Sequence, residues 1–147
     1  MSGFSLIGIA VETTNKNNQA EADIAALWER FYTEEITELV PNKQSLEIYS
    51  VYTDYASDHT DAYTVILGHK VHTVDEVPDG LVLKEFGEAR VVKYVATGKM
   101  PEAIVKTWGE IWADQSIKRA YSYDFEVYDD RSLLGDAAEA DIFISVR

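Results

Sequence analysis

Cysteine is absent from the 147 residues, so the chain has no disulfide framework, no thiolate metal site and no cysteine nucleophile. Basic residues are scarce, with 13 Lys and Arg against 26 Asp and Glu and a formal net charge of −13. A field of that sign repels phosphate backbones and argues against direct nucleic-acid binding. It also draws cations toward the surface, although solubility alone accounts for much excess acid. Long apolar runs are missing as well. The stretch Phe4 to Val11 is too short for a membrane-spanning helix and lacks the basic flank and cleavage site of a signal peptide, so it reads as a strand. A cytoplasmic protein with no membrane partner is the expectation. There is no glycine-rich phosphate loop, no nucleophile elbow and no Ser, His and Asp triad pattern, so neither a cofactor nor a catalytic residue is indicated.

What is present suits one globular domain over 1–147, with 46% hydrophobic and 27% charged residues. Two helical segments stand out. The first starts at Asn18, with Glu21 in a capping-box position, carries Ile24, Leu27, Trp28 and Phe31 at helical spacing, and is stopped by Pro41. The second opens at Pro101 with Glu102 in its first turn and shows the stripe Ile104, Val105, Trp108, Ile111 and Trp112. Strand-like runs rich in Val, Ile and Tyr cover Phe4 to Glu12, Leu46 to Tyr55, Ala62 to Val71, Val82 to Phe86, Ala89 to Thr97, Tyr121 to Tyr128 and Asp141 to Val146.

The order is βαββ, a short connecting strand, then βαββ again. Trp28 and Phe31 on the first helix correspond to Trp108 and Trp112 on the second, and each helix is followed by a Tyr-rich strand and an apolar strand. This predicts an α+β fold of pseudo-repeats at about 1–75 and 82–147, forming an antiparallel sheet with both helices on one face and a groove between them.

Few side chains suggest chemistry. His69 and His72, three apart in a strand, fall on opposite faces and make a poor metal pair. Asp54, Asp58 and Asp61 lack the spacing of a calcium loop and read as a solvated turn. In Asp124-Phe-Glu-Val-Tyr128, alternation puts Tyr121, Tyr123, Phe125 and Val127 on one face and Ser122, Asp124, Glu126 and Tyr128 on the other. Pattern alone turns Glu126 to solvent. Were it buried instead, it would seek a positive partner, which a ligand cation could supply with cation–π help from aromatic rings. Trp28, Trp108 and Trp112 fit a core as readily as a pocket.

These residues resemble a known family. Tyr52-Thr-Asp-Tyr55, then Tyr63 and Gly68, then Pro101 ahead of Trp108 and Trp112, and Arg119 followed by Asp124-Phe-Glu-Val-Tyr128 are similar to the GyrI-like, or AraC-type, effector-binding domains. That family forms the drug-binding half of some MerR-type and AraC-type regulators. The resemblance spans essentially the whole chain and implies the duplicated fold with a ligand groove. It also implies that Glu126 is the family's central glutamate, facing a pocket with Tyr128 beside it, which reverses the alternation reading. Trp108, Trp112, Trp28, Tyr52 and Tyr94 are the candidate aromatic lining. The regulators' helix-turn-helix has no counterpart here, so the chain looks like a stand-alone version, similar to those carried on mobile gene cassettes.

The expected function is a binding module for bulky lipophilic cations. Two alternatives stay open: a hydrolase of strained electrophilic small molecules with Glu126 as general base, and a gyrase-inhibitor-like protein-interaction module. A protein partner or a homodimer is compatible with all three.

Overall fold

The computed structural model describes residues 2–58 and 60–147. Its strands are β1 (Phe4–Thr13), β2 (Ile48–Thr53), β3 (Tyr63–Val71), β4 (Val82–Phe86), β5 (Val91–Thr97), β6 (Arg119–Tyr128) and β7 (Glu139–Val146). Its helices are α1 (Gln19–Thr33), the one-turn α2 (Ile36–Leu39) and α3 (Glu102–Ala113). The seven strands form one antiparallel sheet in the order β4-β1-β3-β2-β6-β7-β5. The two βαββ units, β1-α1-β2-β3 and β5-α3-β6-β7, thus join through the β2–β6 pairing, with β4 added at one edge.

Two details of the first helix differ from expectation. Asn18 holds the N-cap position but lies in the left-handed region at φ 59° and makes no side-chain cap, so the capping box does not form. A 3-10 turn over Lys16–Asn18 leads into the helix instead. The helix also ends earlier than Pro41, because Glu35 at φ 51° breaks it into α1 and α2. Proline stops only the short second piece.

Both helices cover the same face. Leu27 and Phe31 of α1 pack on Ile7, Ile9, Val65 and Leu67 of β1 and β3. Ile104, Trp108 and Ile111 of α3 pack on Ala140, Ile142 and Ile144 of β7. Each helix sits over its own half, so the central strands β2 and β6 floor the space between them.

The central part of the opposite face is buried without any helix. Laid flat, seven strands would separate the edges β4 and β5 by about 29 Å. The chain from Phe86 to Val91, which joins those edges, reaches only about 18 Å. The sheet must therefore curl. Phe86 of β4 and Tyr123 of β6 lie 4.8 Å apart between ring centroids although three strands separate them in the sheet. Phe4, Tyr49, Phe86, Tyr123, Phe125 and Phe143 fill the concavity, and Tyr123 donates to the Gly87 carbonyl at 2.6 Å, tying the connecting segment down.

Gly8 and Gly68 face each other across β1 and β3. A methyl group on Gly68 would lie 2.1 Å from the Ile7 carbonyl oxygen, and one on Gly8 would lie 1.8 Å from that of Leu67. Neither obstacle is a side chain that can swing aside. Gly68→Ala is therefore expected to destabilise the protein by about 3 kcal/mol and to lower its melting temperature by about 6–12 °C. Thermal unfolding followed by circular dichroism checks this, and an unchanged transition would show that the strands can part at little cost.

Candidate functional site

Glu126 lies toward the C-terminal end of β6, opposite Ser50 of β2 and Ile142 of β7. That register turns its side chain to the helix-covered face, where it is 1% exposed. Three donors reach its carboxylate. Tyr128 Oη donates to Oε1 at 2.5 Å, while Trp108 Nε1 and Tyr52 Oη donate to Oε2 at 2.6 and 2.8 Å. All three are neutral. Burial raises the carboxyl pKa, and the three hydrogen bonds offset only part of that shift. Burial and the neighbouring Glu126 charge push the Tyr52 and Tyr128 hydroxyls well above their usual range, so both remain donors at ordinary pH.

The rings close over the carboxylate as a cage. Trp28 meets Tyr128 edge to face at 5.0 Å, and Tyr52 meets Trp108 in the same way at 5.2 Å. Helix α1 supplies one wall through Trp28, helix α3 the other through Trp108, and β2 and β6 supply the tyrosines. Two surface cavities lie elsewhere. One of about 430 Å³ is bordered by Phe4, Gln44, His72 and Leu83, and one of about 280 Å³ lies on the concave face beside Tyr49, Lys70 and Phe143. Neither is lined by Glu126, whose carboxylate lies beneath the rings.

A second carboxylate occupies the same strand face two residues earlier, and it is treated differently. Asp124 is fully buried and accepts from Arg119 Nη2 at 2.7 Å, Tyr55 Oη at 2.5 Å and the Ser145 backbone N–H at 2.8 Å. In a regular strand Arg119 and Asp124, five apart, would face opposite ways. A β-bulge between them, with Tyr121 at φ 55°, returns Arg119 to the helix side. The bulge also takes Tyr121 away from Tyr123, correcting the simple alternation. Its ring stacks under the Arg119 guanidinium at 4.4 Å and touches Tyr55 at 5.6 Å.

Of the residues singled out in the sequence, Glu126, Tyr128, Trp108, Trp28 and Tyr52 converge. Alternation alone had turned Glu126 outward, and the structure overturns that reading. Trp112 is half exposed, one turn beyond Trp108 with ring centroids 6.4 Å apart. Tyr94 packs against the α3–β7 cluster and donates to Asp114 at 3.2 Å. Sequence reasoning did not single out Asp124, Arg119 and Tyr55, which the structure joins beside Glu126. All three stood in the motifs that carried the resemblance, which was the available signal.

Among the described residues no three His, Asp or Glu side chains are arranged to hold a metal ion. His69 is committed on both sides, with Nδ1 donating to the Glu47 carbonyl and Nε2 accepting from Thr37 Oγ1, each at 2.9 Å. Among the described residues no helix is long and apolar enough to cross a membrane.

Residues 1–146 match the family described as integron-associated effector-binding protein, Cass2. The chain belongs to the Cass2 family. An integron cassette protein from the mobile metagenome of Vibrio cholerae, VCH_CASS2, is 32% identical with a TM-score of 0.79, covering 100% of this chain and 92% of that one. The structure of SAV2435 bound to tetraphenylphosphonium shares the fold, with a TM-score of 0.83 at 19% identity over 100% of this chain and 90% of the other. YobU of Bacillus subtilis (strain 168), named as a putative transcriptional regulator protein, is 23% identical over 144 residues, which is 95% of this chain and 90% of that protein. Cass2 membership thus accompanies an effector-binding fold shared with regulator-related proteins.

Proposed function

We propose that this Cass2-family chain binds bulky lipophilic cations between its two helices, with Glu126 as the counter-charge and Trp28, Tyr52, Trp108 and Tyr128 as the aromatic enclosure. The observation that carries the reading is the contrast between the two buried carboxylates. Asp124 has an internal cation in Arg119, whereas Glu126 is held by neutral donors only. A buried carboxylate without a positive partner is destabilising by several kcal/mol. A cation entering the cage relieves that, and each ring face adds about 0.5–2 kcal/mol. Quaternary ammonium or phosphonium centres suit the site because they bring charge without needing hydrogen-bond acceptors. The net charge of −13 favours their approach. The tetraphenylphosphonium in the SAV2435 structure is a ligand of this class on the same fold.

Tetraphenylphosphonium and tetraphenylborate have nearly the same size and opposite charge, so the pair tests the reading directly. Tryptophan fluorescence titration is expected to give a Kd near micromolar, about −8 kcal/mol, for the phosphonium. The borate should bind at least about a hundredfold more weakly. Equal binding, or none by the phosphonium, would sink the proposal.

The raised pKa of Glu126 also suits the hydrolytic alternative, since burial moves a carboxylate toward the range of a general base. An electrophilic substrate returned chemically unchanged after incubation sets that alternative aside.

A further inference from the structure

Arg119 carries a feature that its ion pair does not explain. The residue is 8% exposed, and of its guanidinium only Nη2 is engaged, on Asp124. Nε and Nη1 are buried and have no hydrogen-bond partner among the described residues. Leaving such donors unmatched is unfavourable, so a group from outside the chain, a ligand or a water, is their natural partner.

Their position indicates the partner. Asp124 and Glu126 sit two residues apart on one strand face, about 7 Å along the strand. Trp108 spans the interval: its Nε1 bonds Glu126, and its ring lies 5.9 Å from the Arg119 guanidinium carbon. That one indole therefore touches both the carboxylate without a cation and the guanidinium with the unmatched donors. Tyr121, with its ring 4.4 Å from the guanidinium carbon, holds the guanidinium plane in place and leaves the buried Nε and Nη1 unmatched. The bulge in β6 brings Arg119 to this face at all, and Asp124 cancels its charge, so it does not repel a cation bound at Glu126.

We propose that Arg119 is a second anchor of the groove, which takes a hydrogen-bond acceptor oxygen on the same ligand whose positive centre Glu126 takes. The inference rests on the cation-binding reading and narrows it. The ligand class is a lipophilic cation with a carbonyl or ether oxygen about 7–10 Å from its charge, the strand spacing plus a hydrogen-bond length.

The test compares (5-oxohexyl)triphenylphosphonium with hexyltriphenylphosphonium, which differ by one ketone oxygen four methylenes from phosphorus. Wild type is expected to bind the ketone about tenfold more tightly, the value of one well-placed hydrogen bond to a charged group. Arg119→Lys keeps the positive charge beside Asp124 but loses the planar fork. In it the preference for the ketone over the hexyl compound should fall to one or below. Should that variant fold poorly, the charge-neutral pair Arg119→Gln with Asp124→Asn keeps a hydrogen bond at the same place and should give the same result. Equal wild-type affinities for the two phosphoniums overturn the anchor, with water then the partner of those donors, and leave the cation-binding reading standing. A ketone preference that survives in both variants overturns it too. Failure of wild type to bind either compound defeats the parent reading and the anchor together.

Discussion

Replacing Glu126 by glutamine is expected to weaken tetraphenylphosphonium binding at least about thirtyfold, the loss of about 2 kcal/mol or more that accompanies removal of one buried charge partner. The same substitution is expected to raise the stability of the unliganded protein. Glutamine reproduces the shape of the group, and its carbonyl can take the place of Oε2 to accept from both Trp108 Nε1 and Tyr52 Oη. Its amide then meets the Tyr128 hydroxyl, which can turn to accept. What disappears is the burial of a charge. The pH dependence has a definite sign. Because the folded-state pKa of Glu126 lies above its ordinary value of 4.5, the stability tied to its protonated form is complete below pH 4.5 and is lost as pH rises through the folded pKa. The advantage of Glu126→Gln over wild type should therefore be small at pH 4.5 and grow toward pH 8. Proton competition should also weaken cation binding by wild type in the acid range. Melting curves at several pH values, with titrations alongside, decide the matter. A variant that is less stable than wild type at pH 8 while binding the phosphonium normally would remove Glu126 from its assigned role.

Asp124→Ala is expected to act in the opposite direction, with a loss of about 3–5 kcal/mol in stability and about 6–20 °C in melting temperature. Deleting this carboxylate strands the Arg119 guanidinium, which is already short of partners at Nε and Nη1. It also removes the acceptor of the Tyr55 hydroxyl and of the Ser145 N–H. Denaturant unfolding measures the effect, with Arg119→Leu in the Asp124→Ala background as the companion. Removing the second charge should recover part of the loss, as it does when a stranded buried ion is eliminated. No recovery would mean that the Tyr55 and Ser145 contacts, and not the ion pair, dominate. Two carboxylates two residues apart on one strand face thus answer neutral substitution with opposite signs, because one has its cation inside the chain and the other does not.

Much of this was legible before the structure. Period-2 runs located every strand to within a few residues, helical stripes located α1 and α3, and the repeated element order implied the symmetric sheet. Local signals misjudged what depends on geometry at close range. The capping box failed because Asn18 adopts a left-handed conformation after a 3-10 turn, and the α1 break at Glu35 has no proline or glycine to announce it. Within the site, chemistry and spacing suggested aromatic partners for Glu126 but could not separate Tyr52 and Trp108, which bond it, from Tyr94, which turns to Asp114.

By itself, the sequence determined the element types, their order, the two-unit architecture and the pairing of Glu126 with Tyr128 on one strand face. The tertiary structure alone decided how far each face is buried, and at the central strands both are. Alternation assumes one buried and one solvated face, but a four-residue link between β4 and β5 at opposite edges makes the sheet curl over its own aromatic side. The helices cover the other side. It also decided that Arg119 joins Asp124, since a bulge shifts strand parity and leaves no mark in a hydrophobic pattern. Periodicity reports what each residue prefers along one strand, whereas burial of a charge depends on what the rest of the chain places over it.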